Sequence, residues 1–100
     1  MIEMRKGLEK KLLELNFEKH NDEVGDITYT VKIPSMEKTR EYMLALTLDQ
    51  DKDAVVFSVT GKDFCDDVNT IRLAAFSKGV LDRDESIIAY IKRAYDLFKV

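Results

Sequence analysis

The sequence predicts an α+β fold, a two-layer sandwich in which an N-terminal and a C-terminal helix pack on one face of an antiparallel meander of three to four strands. Three observations predict it. Apolar residues recur at helical spacing near both ends of the chain, they alternate with period two through its middle, and the segments between them are short and polar. Short connections leave no room for crossover helices between strands, so neighbouring strands run antiparallel.

In the first segment Met4, Leu8, Leu12 and Leu15 fall on one helical face, with Arg5, Lys6, Glu9, Lys10 and Glu14 between them. Asn16 tolerates the left-handed conformation that ends a helix, and Phe17 can then fold back on Leu12. Residues 18–26 are polar and read as a loop. Ile27, Tyr29, Val31 and Ile33 alternate with Thr28, Thr30 and Lys32 in a first half-buried strand, which Pro34 breaks. The second strand puts Tyr42, Leu44, Leu46 and Leu48 on one face and Met43, Ala45 and Thr47 on the other. A charged turn over 49–53 leads to the third strand, with Val55, Phe57 and Val59 inward and Val56, Ser58 and Thr60 outward.

Residues 68–78 are ambiguous. Asp66 or Asp67 followed by Ala74 and Ala75 suits a helix, whereas Thr70, Ile71 and Arg72 suit a strand. Packing width favours the strand. Strands lie about 4.8 Å apart and packed helices about 9 Å apart, so two helices cover roughly four strands. The last segment is a helix with Ile87, Ile88, Ile91, Ala94, Tyr95 and Phe98 on its apolar face. Asp82 and Glu85 have the three-residue spacing of a capping box at its start.

The chain of 100 residues has the size of one domain, is 45% hydrophobic and 35% charged, and carries a formal net charge of −3. Such a balance gives no general attraction to phosphate backbones or anionic lipid. The lone Cys65 cannot form an internal disulfide, so a reducing cytoplasm is the expected setting. No apolar run is long enough for a membrane-spanning helix.

Catalytic constellations are missing from the pattern. The single His20 and the single Cys65 fall in separate polar segments, and Gly61-Lys62 lacks the upstream glycine of a phosphate-binding loop. Asp49, Asp51 and Asp53 begin like a calcium-binding loop, but Ala54 and Thr60 stand where that loop needs glycine and glutamate. The α-β-β-β-α order is also that of the double-stranded RNA-binding domain. That domain places lysines at the start of its last helix, where this chain has Asp82, Asp84 and Glu85.

Two surfaces remain as candidates for function. In a meander, alternate loops share an end of the sheet, so the segment before the first strand and the turn after the second form one acidic pole. Its members are Glu18, Asp22, Glu23, Asp26, Asp49, Asp51 and Asp53. The other end mixes Lys38 and Arg40 with Asp63, Asp66 and Asp67. The second surface is the outer face of the sheet, where Met43, Ala45 and Val56 form an apolar spot, together with the sheet's free edges. The leading expectation is a non-enzymatic protein-interaction domain without cofactor, binding another protein or a second copy of itself, with no nucleic acid or membrane partner. The alternatives are a metal-dependent or enzymatic function at the acidic loops, and an acidic decoy that occupies a nucleic-acid-binding protein.

Overall fold

A computed structural model of the chain describes residues 2–23, 25–33, 41–62 and 68–98. Its elements are α1 (Lys6–Glu14), β1 (Glu18–Asn21), β2 (Ile27–Ile33), β3 (Glu41–Asp49), β4 (Ala54–Lys62), β5 (Val68–Ser77), a 3-10 turn (Lys78–Asp82) and α2 (Asp84–Phe98). The strands form one antiparallel sheet in sequence order, β1-β2-β3-β4-β5. This is the expected α+β meander with terminal helices, and residues 68–77 are a strand.

The sheet has one strand more than the pattern indicates. Residues 18–21 form the edge strand β1, pairing Glu18 with Thr30 and Asn21 with Ile27. All four of its side chains are exposed. An edge strand held by backbone bonds to a single neighbour need not bury any side chain, so it leaves no period-two signal. His20, read as a loop residue, lies on this strand.

Alternation does its work in β2, β3 and β4. One row of cross-strand partners is Tyr29, Leu46 and Phe57, each 0–1% exposed. Leu8 and Leu12 of α1 and Ile87, Ile91 and Ala94 of α2 complete the core. Tyr90, which the periodicity did not single out, packs its ring against Phe57 at a centroid distance of 4.6 Å and edge-on to Phe76 of β5 at 5.7 Å. It thereby ties α2 to the last two strands.

The first helix ends as its residues dictate. Asn16 takes a φ of 70°, and the Phe17 N–H donates to the Leu12 carbonyl at 3.1 Å, which buries Phe17 beneath the helix. The second helix starts differently from expectation. Asp82 is part of the 3-10 turn that buries Leu81, so α2 begins at Asp84, one residue later than a cap at Asp82 would set it, and the predicted capping box does not form. The Arg83 carbonyl accepts the first N–H groups, from Ser86 and Ile87. Asp84 instead receives the Arg5 guanidinium and the Lys11 ammonium of α1, the latter at 3.3 Å. Arg5 Nε also donates to the Leu81 carbonyl at 3.0 Å.

These contacts set the helix directions. Arg5 meets the start of α2, Lys11 lies beside Ile88 and Lys92, and Leu15 shares a cleft with Tyr95. Both helices therefore run the same way, side by side on one face of the sheet.

The core holds one phenol. Tyr29 is fully buried, and its hydroxyl donates to Glu9 Oε2 at 2.8 Å. Burial first, then the hydrogen bond and the charge of Glu9, hold its ionisation well above the ordinary phenol range. The folded protein thus keeps this proton at a pH where the unfolded chain has lost it, so stability present below pH 10 falls as pH rises beyond that. The slope for one proton is at most about 1.4 kcal/mol per pH unit. Denaturant unfolding of the native protein and of Tyr29→Phe across the alkaline range should show the steeper loss in the native protein. Parallel curves would remove Tyr29 as its source.

Candidate functional site

The acidic residues are the first place to look for chemistry. The β1–β2 connection (residues 22–26) and the β3–β4 turn (residues 50–53) do lie at one end of the sheet and touch. The Gln50 N–H donates to Asp26 Oδ1 at 3.1 Å. Register removes Glu18 from this group, since its place opposite Thr30 lies three residues along β1 from the turn. The remaining acidic residues divide by role. Asp22 Oδ1 accepts the Asp26 N–H at 2.8 Å, and Asp49 Oδ1 accepts the Lys52 N–H at 3.2 Å. Asp53, with a φ of 49°, lies 3.6 Å from the Lys78 ammonium. Glu23 and Asp51 are exposed.

Asp22, Asp26 and Asp49 thus fold the turns by accepting backbone N–H groups, as aspartate does where the chain reverses. No three His, Cys, Asp or Glu side chains among the described residues converge as metal ligands would. The members of the mixed end, Lys38, Arg40, Asp63, Asp66 and Asp67, and the single Cys65, lie outside the described residues.

Gln50 gives this end a further task. Its side chain accepts the Ile2 N–H at 3.0 Å and donates to the Ile2 carbonyl at 2.9 Å. That pins the segment before α1 and buries Ile2. Sequence pattern could not find the pair, because it joins one glutamine to backbone atoms 48 residues away.

The second candidate is the outer face of the sheet. The helices cover only the inner face. The outer face receives Thr28 and Thr30 from β2, Met43, Ala45 and Thr47 from β3, and Val56, Ser58 and Thr60 from β4. Thr70 and Ala75 come from β5. Met43, Ala45 and Val56 all face this side, with Met43 opposite Thr60, Ala45 opposite Ser58 and Val56 opposite Thr47, so Ala45 stands between the other two. None of these ten residues carries a charge, in a chain that is 35% charged, although Arg72 between Thr70 and Ala75 and Lys32 beyond Thr30 face the same way. Open sheet faces ordinarily carry mixed charges for solubility.

The hydroxyls on this face are paired. Thr28 and Thr47 share a hydrogen bond of 3.1 Å, as do Thr60 and Thr70. His20 Nε2 lies 2.9 Å from the Thr30 hydroxyl. A surface whose polar groups already bond one another can be covered without leaving orphaned donors.

Charge returns at the borders. Glu18 stands on β1, Lys32 and Glu41 at the end away from the acidic turns, and Arg72 on β5. The apolar spot is therefore the middle of a larger uncharged field. The alternation over 27–33 and 42–48 already indicates its central part. Its borders were hidden because β1 reads as a loop and residues 68–78 read as helix or strand.

Both sheet edges are blunted. β1 is four residues long, with Glu18, Lys19 and His20 among them. β5 is interrupted by a bulge, because Phe57 faces Ala74 while Ser58 faces Arg72, leaving Leu73 as the extra residue. The other exposed large apolar residues, Leu13, Ile71 and Leu97, stand one to an element, as scattered surface residues do. A cleft of about 520 Å³ where β1 stops short of the end of β2 has Leu15, Val31 and Tyr95 in its lining and Glu14, Glu18 and Lys32 beside them. Burial raises the Tyr95 phenol above its ordinary range.

No family model, curated protein or solved structure matches the chain. Among the described residues, no helix is long and apolar enough to cross a membrane.

The roles of Asp26 and Gln50 yield a prediction. Gln50→Ala releases Ile2 and should lower the unfolding free energy by about 1–2 kcal/mol. Millimolar calcium or magnesium should leave the melting temperature of the native protein unchanged. Differential scanning fluorimetry reads both effects, and a rise in melting temperature with either cation would contradict the reading of these aspartates as turn formers.

Proposed function

We propose that the chain is a non-enzymatic protein-interaction module whose binding surface is the open face of its sheet. One observation carries this reading. That face is uncharged through the middle of its three central strands, while the chain spends charge freely elsewhere. A face kept only for solvent gains from lysine and glutamate at its outward positions. A face that must be covered gains from small residues that let another flat surface approach.

The same observation favours the face over the other surfaces. The carboxylates of the pole include three that hold backbone turns, which supports neither a metal centre nor a phosphate-mimicking row. The edges carry charge at β1 and a bulge at β5, the devices by which sheets discourage strand addition.

Two variants test the reading. Ala45→Glu puts a carboxylate in the centre of the field, and Asp51→Lys reverses an exposed charge at the pole. Tagged native protein and both variants, each checked for native circular dichroism, would be used to capture partners from the source cell. Partners held by the native protein and by Asp51→Lys should be lost from Ala45→Glu. Loss from Asp51→Lys with retention by Ala45→Glu would move the binding surface to the acidic pole.

A further inference from the structure

We propose that the occupant of the open sheet face is a second copy of the same chain, stacked face to face about a two-fold axis that runs along β3. The proposal rests on the reading of this face as an interaction surface and names what covers it.

The charges at the two lateral borders, Glu18 on β1 and Arg72 on β5, carry the argument, while Glu41 at the end of β3 meets its own counterpart. One cross-strand row reads Glu18, Thr30, Ala45, Ser58, Arg72 from β1 to β5. It is uncharged within, acidic at one edge and basic at the other. A two-fold axis along β3, midway between two such faces, lays β1 of each copy over β5 of the other. It also keeps each row facing itself, reversed. Glu18 then stands over Arg72 of the second copy, and Arg72 over Glu18 of the second copy. Ala45 meets its own counterpart on the axis, where only a small residue allows close approach. Packed sheets lie about 10 Å apart with strands within about 30° of alignment. The side chains of glutamate and arginine together span such a gap.

The face is large enough for the task. Strands about 4.8 Å apart, with about 20 Å of each of β2 to β5 and about 13 Å of the four-residue β1, give roughly 450 Å² per copy and about 900 Å² for the pair. That figure takes the face as flat, and side-chain relief adds to it and brings it to the threshold of about 1,000 Å² for a specific interface. The paired threonine hydroxyls keep their partners when water is excluded.

The test is a charge-swap cycle read by sedimentation equilibrium on the purified chain. Glu18→Arg and Arg72→Glu should each weaken the dimer about tenfold, by setting like charges opposite each other. The double variant Glu18→Arg/Arg72→Glu should recover native affinity to within about threefold. Both positions are exposed, and unchanged melting temperatures of the monomers would show that the swaps act on association. Pairing of two copies through their β5 edges would respond to Arg72 but not to Glu18 on the far side of the sheet. A Glu18→Arg variant that dimerises like the native protein therefore overturns the proposal. So does a strictly monomeric native chain. If that monomer still captures partners that Ala45→Glu loses, the face remains an interaction surface and only the second copy as its occupant is wrong. If capture fails as well, both readings fall.

Discussion

The structure depends on the burial of one inner row, Tyr29, Leu46 and Phe57, beneath two helices. Alternation in the strands places these side chains on a common face. Both described helices pack on that face, α1 from before the meander and α2 from after it. Each further feature follows from that commitment. Tyr90 meets Phe57 and Phe76 because α2 lies over the last two strands, and Glu9 meets Tyr29 because α1 lies over β2. With both helices on one side, none of the described residues covers the other.

That geometry gives the outer face its meaning. A sheet with one open side is common in antiparallel folds and usually resolves into apolar-in, charged-out alternation. Here the outward positions in the middle of β2, β3 and β4 are occupied by threonine, serine, alanine, valine and one methionine, with hydroxyls bonded across neighbouring strands. Threonine and valine suit a strand on backbone grounds, but strand preference alone does not exclude charge from every one of these positions. The uncharged centre, the flanking charges of opposite sign and the blunted edges are what the proposed interface rests on.

How much was legible in the sequence followed from the kind of interaction involved. Elements that bury side chains announce themselves, so the strands over 27–33, 41–49 and 54–62 and both helices could be read from periodicity. The strand at 68–77 needed a packing-width argument, because its bulge at Leu73 breaks the alternation that would have marked it. β1 could not be read, since its hydrogen bonds are backbone bonds and its side chains face water. The start of α2 was misplaced because Asp82 and Glu85 have the spacing of a capping box, while burial of Leu81 in the 3-10 turn decides the geometry instead. The shared end of the acidic loops was legible from topology. That Asp22, Asp26 and Asp49 hold their own turns needed atomic positions.

The side-by-side course of the helices has an electrical consequence. Both begin at the end of the sheet where the acidic turns gather, one after the segment pinned by Gln50 and the other after the 3-10 turn that follows β5. Each helix start carries about half a positive charge from its aligned peptide groups, and each finish about half a negative one. In antiparallel helices these would cancel within the layer. Here they add, and their sum points against the field of the aspartates beside them. The molecule is thus less polarised along its strands than its formal charges suggest, and across its strands the opposite signs of Glu18 and Arg72 give the sheet a direction of its own.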